Sequence, residues 1–253
     1  MTTVIVGAGN GIGRAVAVQL AESGRTVALL DRDSAALDET AARIEGHALT
    51  YTVDVREAEE VDAAITAVET QAGPVTALAH VAGILNTGSV LDSDISQWRE
   101  MFDVNVFGVL NVVRSVGRLM RERRSGAIVV VGSNAAGIPR MSMGAYGSSK
   151  AASTMLTRVL GLELAEYGIR ANIVAPGSTD TDMQRSLWAD PSDDRYAQPV
   201  VTGDLATYKT GIPLGRIASA EDIADAVEFL LSDRARHITM QSLYIDGGAT
   251  LRA

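Results

Sequence analysis

The stretch TVIVGAGNGIG, residues 3–13, determines the fold class of this chain. A β-branched apolar run passes directly into a turn that contains Gly7, Gly9, Gly11 and Gly13. Apolar residues at helical spacing follow the turn. A strand, a glycine turn and a helix in this order let backbone amides approach a pyrophosphate at the positive end of the helix. The stretch therefore predicts a dinucleotide-binding βαβ unit, and a plain tight turn is the alternative.

Apolar runs of strand length alternate with stretches of helical period along the rest of the chain. Strands are predicted at residues 3–6, 26–30, 48–53, 77–81, 127–131, 171–174 and 242–245. Helices are predicted to begin near Gly11, Ser34, Glu57, Trp98, Gly144 and Ala220. Such alternation is typical of a parallel sheet that is covered by helices on both faces. We therefore predict an α/β fold with a Rossmann-type doubly wound parallel sheet.

No repeat, low-complexity segment or linker interrupts this alternation, so one domain is predicted over residues 1–253. Residues 1–131 would mainly bind the dinucleotide, and residues 132–253 would supply catalytic residues, substrate contacts and oligomer contacts. The connection from Pro176 to Gly215 is much longer than the others. Long loops in compact domains are often functional, so a substrate lid is predicted near residues 177–215.

Composition narrows the classes of partner and site. The 31 acidic and 22 basic residues give a net charge of −9, which disfavours nucleic acid and anionic membranes as partners. The chain has no cysteine, which excludes disulfides and cysteine-based zinc sites, and no metal site is expected. The N-terminal stretch has no charge before Arg14 and only a short apolar run, so neither a signal peptide nor a membrane span is predicted. A cytoplasmic location is expected.

An acidic residue at the end of the second predicted strand bears on the choice of dinucleotide. Asp31 lies 18 residues after Gly13. A carboxylate there can accept hydrogen bonds from ribose hydroxyls and would repel a 2′-phosphate. Arg32 would instead attract that phosphate. Because Asp31 stands at the strand tip, the sequence favours NAD over NADP.

The stretch AYGSSKAA, residues 145–152, places a tyrosine and a lysine one helical turn apart among small residues. Tyr146 and Lys150 are at i and i+4, so they lie on one face of the predicted helix. A phenol titrates at about 10, and a nearby cation or helix N-terminus would lower its pKa. Ser133 ends the run AIVVVGS, at a strand end where open α/β sheets bind ligands. These residues predict an acid–base site, and a surface pair is the alternative for Tyr146 and Lys150 alone.

Taken together, these motifs resemble those of the short-chain dehydrogenases/reductases. The matching features follow the family's order along nearly the whole chain: the glycine spacing G-x-x-x-G-x-G, Asp54–Val55, HVAG at 80–83, Asn105, Ser133, YxxxK at 146–150 and Pro176–Gly177. Val6 and His80 depart from the family, which often has threonine and asparagine at these positions. For His80 we expect a structural role, with hydrogen bonds to backbone.

The resemblance implies a role for each member of the catalytic set. Tyr146 would be the general base, Ser133 would hold the substrate oxygen, and Lys150 would bind the cofactor ribose and polarise Tyr146. Asn105 would position a water for proton relay. The implied cofactor-binding residues are Gly7, Gly9, Asn10, Gly11, Ile12, Gly13, Asp31, Arg32, Asp54, Val55, Ala82, Gly83, Asn105, Tyr146, Lys150, Pro176, Gly177, Thr179 and Thr181.

The C-terminal half carries a closer resemblance. The stretches GSNAAGIPRMSMGAYGSSKAA, VAPGSTDTDMQRSLWAD, YKTGIPLGRIA and HITMQSLYIDGGATL are similar to 2,3-dihydro-2,3-dihydroxybenzoate dehydrogenases of catecholate siderophore biosynthesis. That resemblance implies NAD-dependent oxidation of a small cyclohexadiene diol carboxylate, whose product is aromatic. Arg140 is the first candidate for the substrate carboxylate, and Gln184 and Arg185 are the second. The predicted substrate-binding residues are Ser133, Arg140, Met141, Tyr146, Met183, Gln184, Arg185, Leu187 and Trp188, with Met143 as a further apolar candidate.

Several alternatives stay open. A dehydrogenase of trans-2,3-dihydro-3-hydroxyanthranilate would act on a substrate that differs only in its C2 substituent, and no residue decides between the two. Asp31 and Arg140 disfavour a 3-oxoacyl or broad-specificity reductase, and the complete catalytic set disfavours a non-catalytic NAD-sensing protein. The family resemblance also implies a homotetramer, formed through the helices after Trp98 and Gly144 and the C-terminal segment, with a monomer as the alternative.

Overall fold

The computed structural model describes residues 1–46 and 48–251 of the chain. Its strands are β1 Thr2–Val6, β2 Thr26–Asp31, β3 Ala48–Thr52, β4 Val75–His80, β5 Gly126–Val131, β6 Ile169–Pro176 and β7 Ser242–Ile245. Its α-helices are α1 Gly11–Glu22, α2 Ser34–Ala41, α3 Ala58–Ala72, α4 Ile95–Phe102, α5 Val109–Arg123, α6 Gly144–Ala165, α7 Asp182–Arg185, α8 Ala197–Thr202 and α9 Ala220–Leu231.

The described strands form one parallel sheet in the order β3-β2-β1-β4-β5-β6-β7. This order confirms the predicted doubly wound fold. The order reverses between β1 and β4, where Val6 pairs with His80. Ligands of open α/β sheets bind beyond the carboxyl ends of the strands at such a switch point. The topology therefore places the candidate site at the ends of β1, β4, β5 and β6.

The sheet separates two apolar cores, and β1 shows how its residues divide between them. Val4 and Val6 pack into the core that contains residues of α3 and α5, whereas Ile5 packs into the core that contains residues of α1 and α9. Successive side chains of a strand point to opposite faces, so a continuous apolar run fills both layers. This explains why the run at the start of the chain lacks the polar alternation of a half-exposed strand.

The segment around Trp98 differs from the prediction. The helix begins earlier, at Ile95, where the Asp94 carboxylate accepts a hydrogen bond from the Ser96 backbone N–H. A π-helical segment, Asp103–Gly108, then separates α4 from α5. The helix predicted to begin near Trp98 therefore begins three residues earlier and continues into α5 through this π-helical segment. Segments of this kind inside α-helices are frequent at functional sites.

The predicted lid is partly helical. Between β6 and α9 the chain forms the short helices α7 and α8, with one 3₁₀ turn before α8, Asp194–Tyr196, and another after it, Leu205–Thr207. Elsewhere the predicted strand boundaries hold to within two residues, with Pro176 ending β6 beyond its predicted end. Within the part of the chain that the structure describes, no helix is both long enough and apolar enough to cross a bilayer.

Candidate active site

The glycine turn between β1 and α1 is too tight for any side chain at two positions. Gly7 has a φ of +82°, and a Cβ there would lie 2.5 Å from the backbone nitrogen of Ala82. A Cβ on Gly13 would lie 1.8 Å from the carbonyl oxygen of Gly7. The first turn of α1 carries no acidic residue, so its positive end is free of a competing carboxylate. The turn fits a pyrophosphate.

The carboxylate of Asp31 is held by this turn. Its Oδ2 accepts a hydrogen bond from the Gly9 N–H at 2.9 Å, and its Oδ1 accepts one from the Asp33 N–H at 3.1 Å. A Cβ on Gly9 would lie 2.9 Å from that same Oδ2. A carboxylate can accept about four hydrogen bonds, so Asp31 keeps acceptor sites for ribose hydroxyls.

Most of the predicted cofactor residues line two adjoining cavities. The first cavity lies at the glycine turn and is lined by twelve of them: Gly7, Asn10, Gly11, Ile12, Gly13, Asp31, Arg32, Asp54, Val55, Ala82, Gly83 and Thr181. Tyr146, Lys150, Pro176, Gly177 and Thr179 line the second cavity, which shares Ile12, Gly83 and Thr181 with the first. Gly9 and Asn105 line neither cavity. The arrangement fits a dinucleotide whose phosphates lie at the turn and whose other end reaches Tyr146.

Asp54 is already paired with a cation of its own loop. The guanidinium of Arg56 donates hydrogen bonds to both carboxylate oxygens, and the closest is at 2.5 Å. The hydrogen bond from Arg56 is the main reason why the pKa of Asp54 lies below its usual value. Asp54 therefore lines the first cavity as one half of an ion pair.

The structure brings three of the four predicted catalytic side chains, Ser133, Tyr146 and Lys150, to one wall of the second cavity. Ser133 follows β5, and Tyr146 and Lys150 lie in the first two turns of α6. The ammonium of Lys150 is buried and donates a hydrogen bond to the carbonyl of Val131 at 3.0 Å. It lies 6.0 Å from the centre of the Tyr146 ring. Ser133 contacts the phenol, and the three groups can act on one hydroxyl of a bound substrate.

The direction of the pKa shift at Tyr146 is opposite to the prediction. Burial raises the pKa of Tyr146 above its usual value, and a hydrogen bond with Ser133 opposes that rise. Burial also lowers the pKa of Lys150 to about 8. The protein alone therefore disfavours charge on both groups, because burial removes both from water. An oxidised nicotinamide carries a positive charge, which would favour the phenolate.

Asn105 is not placed on the cavity. It is fully buried in the π-helical segment, and its Oδ1 accepts a hydrogen bond from the Ile84 N–H at 2.9 Å. Its Nδ2 donates to the Ile84 carbonyl and to the Ser149 hydroxyl, both at 3.0 Å. Both N–H groups of the side-chain amide are thus used by protein groups, and the role of Asn105 in positioning a water stays a prediction. Asn105 instead ties the segment after β4 to α6.

His80 is completely buried at the end of β4. Burial, and then the positive charge of Lys150, lower its pKa to about 3, so the ring is neutral. The backbone carbonyls of His80 and Gly108 act in the opposite direction and raise this pKa. Neither ring nitrogen has a hydrogen-bond partner of good geometry among the described residues. The His80 and Gly108 carbonyls are thus the backbone groups that face the ring, and a structural role for His80 stays a prediction.

Six of the nine predicted substrate residues line the second cavity: Ser133, Arg140, Tyr146, Met183, Gln184 and Leu187, together with Met143. Met141, Arg185 and Trp188 do not. Met141 is 57% exposed, on the surface. The guanidinium of Arg185 pairs with Asp180 at 2.6 Å and with Asp194 at 2.9 Å, and it covers the buried Trp188 ring. Local pairing thus holds Arg185 and Trp188 away from the cavity lining, and a role of these three residues in substrate binding stays a prediction.

The same cavity has lining residues that the sequence reasoning missed: Leu85, Asn134, Val200, Lys209 and Ile212. Lys209 could have been singled out in the sequence, because it and Lys150 are the only two lysines of the chain. Asn134 directly follows Ser133, and its amide contacts the buried carboxylate of Asp246. Val200 and Ile212 come from the lid, where sequence alone does not indicate which residues turn inward.

Comparisons with known proteins agree with this geometry. A family model described as enoyl-(acyl carrier protein) reductase matches residues 7–250. A 2,3-dihydro-2,3-dihydroxybenzoate dehydrogenase of Bacillus subtilis (strain 168) is 50% identical over 250 residues, which are 98% of this chain and 95% of that protein. A vibriobactin-specific 2,3-dihydro-2,3-dihydroxybenzoate dehydrogenase of Vibrio cholerae is 43% identical over 253 residues, with the same coverage of 98% and 95%.

A solved structure of a short-chain dehydrogenase/reductase family protein superposes with a TM-score of 0.86. It is 31% identical, and the match covers 100% of this chain and 98% of that one. The match therefore includes the glycine turn, the switch point and the wall formed by Ser133, Tyr146 and Lys150. The chain belongs to the short-chain dehydrogenase/reductase family.

Proposed function

We propose that the chain oxidises 2,3-dihydro-2,3-dihydroxybenzoate to 2,3-dihydroxybenzoate with NAD, in biosynthesis of the catecholate siderophore type. As a member of its family the chain is an oxidoreductase that uses NAD(P). The observation that carries the proposed substrate is the 50% identity, over 98% of the chain, to a dehydrogenase of that name. A cavity with cationic and apolar lining beside Tyr146 supports a small carboxylated ring as the substrate.

NAD rather than NADP is proposed from the surroundings of Asp31. The Gly9 and Asp33 amides fix the carboxylate at the tip of β2, on the wall of the first cavity. A 2′-phosphate placed there would meet a negative charge at short range. Arg32 lines the same cavity but is exposed, so solvent weakens its attraction for a phosphate.

The residues of the second cavity account for the proton that the reaction releases. Bound NAD would supply the hydride acceptor. Tyr146 takes the proton of the reacting hydroxyl as the C–H hydride leaves the same carbon, and Ser133 donates a hydrogen bond that orients that oxygen. Lys150, fixed on Val131, holds positive charge beside the phenol. The ketone that forms becomes a catechol when the proton on the neighbouring ring carbon moves to oxygen.

The experiment is a spectrophotometric assay of NADH formation with two substrates. The purified protein is given NAD and either 2,3-dihydro-2,3-dihydroxybenzoate or trans-2,3-dihydro-3-hydroxyanthranilate. Faster turnover of the diol supports the proposal. Preference for the amine would retain every residue role and change the substrate. No turnover of either compound, despite NADH binding, would contradict the proposed substrate.

We also propose a homotetramer. Three apolar side chains lie along one face of α6 and are exposed: Met155 at 56%, Val159 at 45% and Leu162 at 66%. Phe107 in the π-helical segment is 53% exposed. Exposed apolar patches commonly mark protein interfaces. Part of the C-terminal segment, Arg252 and Ala253, lies outside the described residues.

Light scattering tests the assembly. The unaltered protein should have four times the mass of one chain, and Leu162→Glu should give smaller species because it places a charge in the proposed interface. Leu205→Glu is the matched control, since Leu205 is 93% exposed in the lid and far along the chain from α6. A monomer in the unaltered protein would disprove the tetramer.

A further inference from the structure

The charge of the second cavity is opposite to that of the whole protein. The chain has 31 acidic residues and a net charge of −9. Among the described residues that line this cavity, none is Asp or Glu, whereas Arg140, Lys150 and Lys209 are cationic. A cavity whose fixed charges have one sign concentrates ligands of the other sign. The cavity is therefore built for an anion.

The two lysines of the chain, Lys150 and Lys209, both line this cavity, although the other 20 basic residues are arginines. The Lys150 ammonium is buried and donates to the Val131 carbonyl beside Tyr146, so it serves the reacting centre. Lys209 comes from the lid and is exposed. Of the two ammonium groups, only that of Lys209 is left for a charged substituent of the substrate.

The lid arginines are neutralised by acidic neighbours, and Lys209 is not. Arg185 pairs with Asp180 at 2.6 Å, and Arg195 pairs with an aspartate two residues before it at 2.7 Å. Arg216, the residue directly after the lid, likewise pairs with Asp222 at 2.6 Å. Within residues 1–46 and 48–251, no carboxylate lies within ion-pair distance of the Lys209 ammonium. Its charge is thus available to a ligand.

The charge of Lys209 lowers the pKa of Asp204, but the Asp204 carboxylate hydrogen-bonds within the turn of the lid and forms no ion pair with the Lys209 ammonium. Its oxygens accept hydrogen bonds from the Ala206 N–H at 3.0 Å and from the Thr207 hydroxyl at 2.7 Å. The pKa of Asp204 is lowered first by the Thr207 hydroxyl, then by the Ala206 N–H, and after these by the charge of Lys209. Asp204 therefore stabilises the turn of the lid and leaves the ammonium unpaired.

A rigid hairpin fixes the backbone of Lys209 over the cavity. The backbones of Asp204 and Lys209 exchange two hydrogen bonds, both at 2.9 Å, and the Ile212 N–H donates to the Val201 carbonyl at 2.8 Å. Gly203 has a φ of +83°, and a Cβ there would lie 2.5 Å from the carbonyl oxygen of Lys209. The two arms of this lid hairpin, residues 201–212, are thus too close for a side chain at Gly203.

We propose that Lys209 binds the carboxylate of the substrate together with Arg140 and thereby sets the specificity of the enzyme for an acidic ring. Arg140 reaches the cavity from the segment between β5 and α6, and Lys209 reaches it from the lid hairpin. A guanidinium offers a planar fork and an ammonium a compact charge, so the two cations can take different oxygens of one carboxylate. This inference rests on the proposed function, because it assigns the cation pair to the carboxylate of that substrate.

The test compares Lys209→Met and Lys209→Arg, with Arg195→Met as the matched control. Arg195 is a lid cation of the same charge that does not line the cavity. Each variant is assayed with 2,3-dihydro-2,3-dihydroxybenzoate and with the same diol lacking the carboxylate. Lys209→Met should raise KM for the acid about tenfold or more, since a hydrogen bond to a charged group is lost. It should leave KM for the neutral diol and the Kd of NADH unchanged, and Lys209→Arg should keep most of the affinity for the acid.

Equal increases in KM for both diols, or the same increase in Arg195→Met, would overturn the assignment. Calorimetric titration of the NADH-loaded proteins with 2,3-dihydroxybenzoate and with catechol separates this inference from the proposed function. If the unaltered protein oxidises neither diol, the proposed function fails. The role of Lys209 is then decided by whether Lys209→Met weakens binding of the acid more than binding of catechol. An equal effect on the two ligands removes Lys209 from anion recognition.

Discussion

The backbone N–H of Gly9 donates a hydrogen bond to Oδ2 of Asp31 at 2.9 Å. This bond joins the glycine turn to the tip of β2. The backbone amides of the turn, which would bind the phosphates, and the Asp31 carboxylate, which would bind the ribose, are therefore fixed relative to each other. It also explains the glycine at position 9, because a Cβ there would approach the same oxygen to 2.9 Å. The two ends of the nucleotide site therefore form one rigid unit.

Asp31→Ala is expected to relax the preference for NAD. The change removes the acceptor for the ribose hydroxyls and the charge that repels a 2′-phosphate, so the ratio of kcat/KM for NAD to that for NADP should fall roughly tenfold or more. Arg32→Ala is the control with the opposite sign, since it removes the cation that would attract the phosphate. If the ratio of kcat/KM for NAD to that for NADP did not change in Asp31→Ala, other residues would have to recognise the ribose.

Tyr146→Phe should lower kcat by about two orders of magnitude or more, as loss of a general base does. The ring that packs against the cavity wall is retained, so the Kd of NADH, measured by fluorescence titration, should stay close to that of the unaltered protein. Tyr196→Phe removes a phenol from the lid, outside the cavity, and should leave kcat unchanged. Near-normal turnover in Tyr146→Phe would remove this residue from the mechanism.

Arg140→Ala should raise KM for the diol carboxylate more than it changes KM for NAD, with an effect of about tenfold or more on the former. The reason is that Arg140 lines the substrate cavity and not the nucleotide cavity. Arg185→Ala is the informative comparison. Its guanidinium is occupied by Asp180 and Asp194, so its removal should change KM for the diol less. Steady-state kinetics with both substrates give the result, and a larger effect at Arg185 would reverse the assignment.

Positions that obey strong local rules were predictable from the sequence. The apolar run of β1 and the glycine that follows it specify a buried strand and a turn that only glycine can form, as Gly7 with its φ of +82° shows. Strand alternation then fixes the parallel sheet and its switch point. Ser133, Tyr146 and Lys150 follow because their elements end or begin at that edge of the sheet.

The lid was less predictable because its side-chain partners depend on how the chain turns. Arg185 has acidic residues within ten positions on both sides. Only the structure shows that two of them, Asp180 and Asp194, form ion pairs with its guanidinium. Lys209 reaches the cavity because a hairpin reverses the chain between Val201 and Ile212. The sequence also did not show that the π-helical segment turns the Asn105 amide onto Ile84 and Ser149, and its predicted role toward a water stays a prediction.

The stability of the protein should fall between pH 7 and pH 5 because of His80. Its pKa of about 3 in the folded protein lies below the value of 6.5 expected for an exposed ring. Below about pH 6.5 the His80 ring therefore binds a proton in the unfolded chain but stays neutral in the folded protein. The free energy of unfolding consequently decreases as the pH falls from 7 to 5. At pH 5 the loss should approach about 2 kcal/mol, since each unit of pKa difference corresponds to about 1.4 kcal/mol.

Urea unfolding of His80→Asn at pH 7 and pH 5 provides the measurement. Asparagine does not titrate, so the decrease between the two pH values should largely disappear, whatever the substitution does to stability at pH 7. Lys150, with a pKa of about 8, keeps its proton throughout this range, and the lowered pKa of Asp222, about 2, acts only at lower pH. His237→Asn removes an exposed histidine and should retain the decrease. A decrease as steep in His80→Asn as in the unaltered protein would show that the buried ring is not its source.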